Sequence, residues 1–157
     1  MKKHIRKWQT LVTMVFALPA LVFAAGPEVN VDSNGVAIHG HDPVAYFEQG
    51  AAVKGVPEYR HEFQGAVYHF SGAKSRDTFA ANPEKYVPEF GGYCAMGTVM
   101  GKKLDVDPNS WRIVDGKLYL NVNADVQKRW LSDVEKHIAQ AEAKWPELRN
   151  IPASQLD

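Results

Sequence analysis

Only one of the 157 residues is a cysteine, which excludes an intrachain disulfide framework and a Cys₄ zinc site. Neither sign of charge is in excess. Lys plus Arg and Asp plus Glu each number 18, which excludes a strongly basic nucleic-acid binder. No uninterrupted apolar run reaches the roughly 20 residues needed to span a bilayer. There are no internal repeats, no low-complexity tract, and neither a G-x-G-x-x-G nor a P-loop pattern. What remains is globular in composition, with 45% hydrophobic and 23% charged residues, so general disorder is excluded. The length suits one ordinary domain, and 11% aromatics is generous for a small core.

The first residues read as an address. Lys2, Lys3, Arg6 and Lys7 form a positive start, and residues 11–25 carry no charge, with Thr13 the only polar member. Val22-Phe23-Ala24 offers small residues at the −3 and −1 positions. Residues 1–24 are therefore expected to be a secretory signal peptide, cleaved before Ala25. The run is too short for a transmembrane anchor and is broken by Pro19. Removal takes four of the 18 basic residues and no acidic one, leaving 14 against 18, a formal −4. A secreted or periplasmic destination follows, with no stable membrane insertion and no nucleic-acid partner. An unpaired cysteine in such an oxidising setting stands out.

Along the mature chain, residues 25–34 read as a leader arm, and Val36-Ala37-Ile38 as a short strand. Asp42-Pro43 pairs an N-cap with proline at the first helical position, opening a short helix that Gly50 closes. Residues 59–71 form a hairpin around Gln64-Gly65. With a two-residue loop, Phe63 faces Ala66, His61 faces Tyr68, and the core face carries both with Tyr59 and Phe70. His69 then points outward. A three-residue loop would reverse the second strand's faces. Ser71 can cap a helix over 73–81, Asn82-Pro83 ends it and can start another turn, and Gly91-Gly92 is a flexible loop leading through Cys94 into a short helix or coil over 95–100. Asp115-Gly116 marks a second hairpin. Asn123 caps a final helix with a stripe of Val126, Trp130, Val134, Ile138, Ala141 and Trp145, at helical spacing. Pro146 is expected to end it, leaving 147–157 as a frayed tail. The fold class is α+β: a small antiparallel sheet of two β-hairpins, packed by short helices and a long C-terminal helix.

The side chains able to carry chemistry fall into pairs. His39 and His41 are two apart, which on a strand places both on one face. Cys94 and Met96 are two apart, with Met100 beyond. Thiolate and thioether are soft donors that suit Cu(I), and imidazole suits copper and zinc. Each has an ordinary packing alternative. Cys94 reads as a small buried residue or as a functional thiolate. Met96 and Met100 read as core filler or ligands, His61 as a core histidine or reserve ligand, and His69 and His137 as surface. Lys102-Lys103 reads as a solvated pair. A Cys–His hydrolase would also need an oxyanion hole, which no motif supplies, and a thiol peroxidase would benefit from a second cysteine.

The stretches Gly35-Val36-Ala37-Ile38-His39-Gly40-His41-Asp42-Pro43-Val44-Ala45-Tyr46-Phe47, Tyr68-His69-Phe70-Ser71, Gly91-Gly92-Tyr93-Cys94-Ala95 and Asp115-Gly116-Lys117-Leu118-Tyr119-Leu120-Asn121 resemble secreted bacterial proteins of the YHS-domain family. The likeness runs over about residues 35–145. It implies a single YHS-like domain over 35–146 with a metal-handling role, copper being the metal implied outside the cytoplasm. Two departures stand out. One cysteine replaces the several of the cysteine-rich modules, so only Cys94 maps onto a family ligand. Position 41 is His where relatives commonly have Tyr, so His41 rests on its chemistry alone. Asp42 and Tyr93 lie within the matching motifs.

The expectation is a secreted, non-catalytic protein that binds, delivers or sequesters copper, with zinc as the alternative metal. Cys94 would be the central thiolate, His41 and His39 nitrogen donors, Met96 a thioether and His61 a reserve ligand. Its partners would be the metal ion or metal-handling proteins. A second reading is a non-metal interaction or small-ligand module in which Cys94 is structural. A third is a thiol enzyme.

Overall fold

The computed structural model describes residues 28–156. The expected signal peptide lies outside the described residues. Helix α1 (Pro43–Glu48) starts as its sequence dictates: Asp42 accepts the Val44 N–H at 3.0 Å, and Pro43 occupies the first turn. Strands β1 (Val56–Phe63) and β2 (Ala66–Phe70) pair antiparallel with His61 opposite Tyr68 and Phe63 opposite Ala66. Gln64 and Gly65 both adopt positive φ, 50° and 76°, so the loop has two residues and is of type I′. Tyr68, Phe70 and Ala66 are buried on the expected face, while Tyr59 is exposed because β1 carries a bulge between Val56 and Arg60.

Helices α2 (Ala73–Ala81) and α3 (Pro83–Tyr86) cover that face. Phe79 of α2 is the hub of the first core, with Tyr68 at 5.0 Å and Phe70 at 5.1 Å between ring centroids. Ser71 does not cap α2. Its hydroxyl and N–H instead donate to Asp42, and Gly72 takes the N-cap position without a side-chain bond.

Helix α4 (Ala95–Val99) leads to β3 (Asp107–Val114) and β4 (Lys117–Asn121), joined through Asp115 and Gly116, again both at positive φ. Both hairpins are present, but each is its own two-stranded sheet. Short bridges extend them: Val36 lies parallel to Val67 on β2, and Pro88 parallel to Leu118 on β4.

The C-terminal stripe is divided between α5 (Ala124–Leu131), capped by Asn123, and α6 (Val134–Leu148). The apolar positions stay on one face across the break. Trp130 and Ala141 are buried with Tyr119, Phe90 and Ala95 in a second core against which Val134, Ile138 and Trp145 pack. His137 is not a free surface residue, because its Nδ1 bonds the Trp130 carbonyl oxygen at 2.8 Å across the break. Pro146 does not end α6, which runs on to buried Leu148. The tail is held rather than frayed: Lys103 Nζ donates to the Arg149 and Ile151 carbonyls at 2.6 and 2.8 Å. Lys103 is 5% exposed and lies over the Tyr93 and Trp145 rings, which corrects its reading as solvated.

Candidate functional site

The Gly-Gly loop is built by backbone conformations other residues resist. Phe90, Gly91 and Gly92 all have positive φ. A Cβ on Gly91 would stand 1.9 Å from the Glu28 carbonyl oxygen. The leader therefore packs directly on this loop: Asn30 N donates to Gly91 O at 2.8 Å, and Val29 is buried in the first core. Residues 28–31 are part of the domain and not a detached arm.

Cys94 follows as the N-cap of α4, with none of its surface exposed. Its Sγ accepts the Gly97 N–H at 3.3 Å and donates to Asn121 Oδ1 at 3.6 Å. Burial pushes the thiol above its ordinary value, and the opposing pull comes from the N–H groups of Gly97, Val122 and Met96. Met96 is half-buried, its thioether side chain packs against both cores, and its N–H also donates to Asn121 Oδ1 at 3.3 Å. Asn121 Nδ2 is buried without a hydrogen-bond partner among the described residues.

The histidines stand elsewhere. Ile38 and His39 take left-handed φ of 51° and 48° in a 3-10 turn over Ile38–Gly40, so the expected strand does not form there. The side-by-side geometry of His39 and His41 is lost with it. His39 Nε2 meets Asp105 Oδ1 at 3.0 Å, whereas His41 Nδ1 folds back on Ile38 O at 3.1 Å. Burial, then the nearby Lys54 charge, lowers the His41 pKa and keeps that ring neutral. His61 lies edge-on to Phe79 at 5.7 Å, as a half-buried rim of the first core. Among the described residues, no three His, Cys, Asp or Glu side chains are grouped to hold a metal ion. Of the five expected ligands, Met96 is the one whose backbone shares a polar partner with Cys94.

A different constellation is assembled instead. Residues 40–42 pair with 53–55: Gly55 N donates to Gly40 O, and Asp42 N to Val53 O. This sets Lys54 opposite His41. Gly55 is required, because a Cβ there would stand 2.5 Å from the His69 carbonyl carbon. Lys54, His39, Gly40, His69 and Asp32 then line an open cleft of about 250 Å³. Lys54 Nζ donates to the His39 carbonyl. Asp32 accepts the Asn34 and Val36 N–H groups at 2.8 and 3.0 Å. The Val36 bond foremost, with smaller contributions from His39 and His69, holds its carboxyl below the usual range. The His69 ring makes no hydrogen bond among the described residues. Alternation along β2 places His69 outward, but what it meets there comes from residues 12 to 37 positions earlier. The adjacent Gly40 was the available sequence signal.

No family model matches the chain, and no curated protein or solved structure is similar enough to place it.

Proposed function

We propose that the domain is a non-catalytic small-ligand-binding module of a secreted or periplasmic protein, in which Cys94 is structural. The observation that carries this reading is the contrast between its two polar centres. Around Cys94 every sulfur bond is internal and no surface is open. Around His69 a cleft holds ammonium, imidazole and carboxylate groups facing solvent. A buried thiol with a raised pKa is a poor nucleophile, which argues against thiol chemistry. The charged start and apolar run of residues 2–25 support the export half of the proposal.

A copper-handling role, with zinc as the alternative metal and metal-handling proteins as partners, rests on one observation. Asn121 Oδ1 holds both the Cys94 thiol and the Met96 N–H, keeping two soft-donor residues together at the start of α4.

Elemental analysis of the mature protein, purified from its own compartment without chelators, separates the two. The structural reading expects no stoichiometric metal in wild type, and a folded Cys94→Ala variant losing about 1–2 kcal/mol with its cap and thiol packing. One equivalent of copper or zinc that disappears in Cys94→Ala would overturn it in favour of the metal role.

A further inference from the structure

Gly40 forms the floor of the histidine cleft and has a left-handed φ of 73°. The position its Cβ would take is 3.3 Å from His69 Nδ1 and 3.6 Å from Lys54 Nζ. A side chain here would press on the His69 ring, so glycine is what lets His69 Nδ1 and Lys54 Nζ both close on the floor of the cleft. Lys54 uses one of its three N–H groups on His39 O, and the His69 ring uses neither nitrogen.

We propose that this cleft binds the carboxylate group of a small molecule, with Lys54 Nζ and the Nδ1–H tautomer of His69 donating to its oxygens. The inference rests on the ligand-module reading and names the chemistry of its ligand. Three features select that chemistry. An ammonium group at the floor repels a metal cation. The remaining lining mixes Asn34 and His39 with Val36 and Pro57, which suits a carboxylate carried on a short apolar chain. Asp32 in the same lining counters the Lys54 charge, so a phosphate dianion is repelled more than a singly charged carboxylate. Charge-assisted bonds from nitrogen to an oxyanion are roughly twice as strong as neutral ones, which makes two donors enough for a weak, specific contact. The volume of about 250 Å³ limits the guest to a small acid.

The test is an amide and imidazole NMR titration of the full mature chain with sodium acetate, inorganic phosphate and zinc chloride in parallel, at constant ionic strength. Acetate is expected to shift Gly40, Gly55 and His69 saturably, with a Kd on the order of millimolar. Lys54→Gln and His69→Phe should each weaken it about tenfold while leaving signals of the two cores in place. Cys94→Ala should bind as wild type does. Tighter binding of phosphate than of acetate overturns the carboxylate assignment. Zinc shifting these signals where acetate does not overturns it too, yet leaves a ligand cleft standing. Silence from all three probes overturns both the assignment and the module reading. Acetate binding undiminished in both Lys54→Gln and His69→Phe places the anion elsewhere and also defeats the inference.

Discussion

Asp42 shows how much a single side chain can carry. Its carboxylate is fully buried and accepts from Val44 N, Ser71 N, Ser71 Oγ and Ser75 Oγ at 2.6–3.0 Å. One residue thereby caps α1 and ties it to the β2–α2 corner. Asp42→Ala strands the buried Val44 N–H and three part-buried donors at once and is expected to cost on the order of 3 kcal/mol, read as a lowered urea midpoint. A midpoint within error of wild type would show that water satisfies those donors instead. The cap half of this role is legible, because Asp followed by Pro is a local signal. The Ser71 and Ser75 half is not, since those partners lie 29 and 33 positions away. The same limit applies to Lys103: two adjacent lysines look solvated until the C-terminal carbonyls and two aromatic rings close over one of them.

At the scale of elements, alternation and turn chemistry give the pairing of the first hairpin, but not the bulge that turns Tyr59 outward. The faces of β2 and the pairing of His61 with Tyr68 both follow from a two-residue loop at Gln64-Gly65. Gln64 is the weak point of that turn, holding φ of 50° without the local hydrogen bonding that helps Asn adopt this region. Gln64→Asn is expected to raise stability by about 0.5 kcal/mol, seen as a higher melting temperature with an unchanged fold. A fall in melting temperature would mean the Gln64 side chain contributes something the backbone argument omits. The C-terminal stripe was legible as a face but not as two helices. Spacing alone does not register the break at Ser132 and Asp133, where Ser132 Oγ bonds Arg129 O and Asp133 leaves helical conformation. The placement of His39 and His41 escapes the sequence for a related reason: strand alternation over 36–38 gives way to a left-handed turn that no local pattern announces.

Over the whole molecule, the buried titratable groups set the response to pH. Burial raises Cys94 above its ordinary 9.0 and Tyr46, Tyr68, Tyr93 and Tyr119 above 10.0. Above about pH 9 the unfolded chain loses these protons first, so the native state binds more protons and stability falls as pH rises. Lys103, lowered by burial, works in the opposite direction as one group against five. On the acid side, hydrogen bonds hold Asp32, Asp105 and Asp107 below 3.8, and their contribution is lost as pH falls through that range. Urea midpoints should therefore decline as pH rises from about 9 to 10.5, and again as it falls below about pH 4. A flat alkaline limb would mean the tyrosine hydroxyls ionise as freely in the fold as outside it.

The bulge in β1 has a partner in β3, where the register slips between Asp107 and Trp111. Each strand also places a proline at its second residue, Pro57 and Pro108, and among the described residues each is paired along only one side. A strand open on one side is a template on which another chain can grow. Here a kinked backbone and a missing N–H spoil that template at both open sides, and Glu58, Arg60 and Glu62 add charge along the first. Two hairpins, each too small to bury its own outer edge, are thus guarded against edge-to-edge growth by their own irregularity.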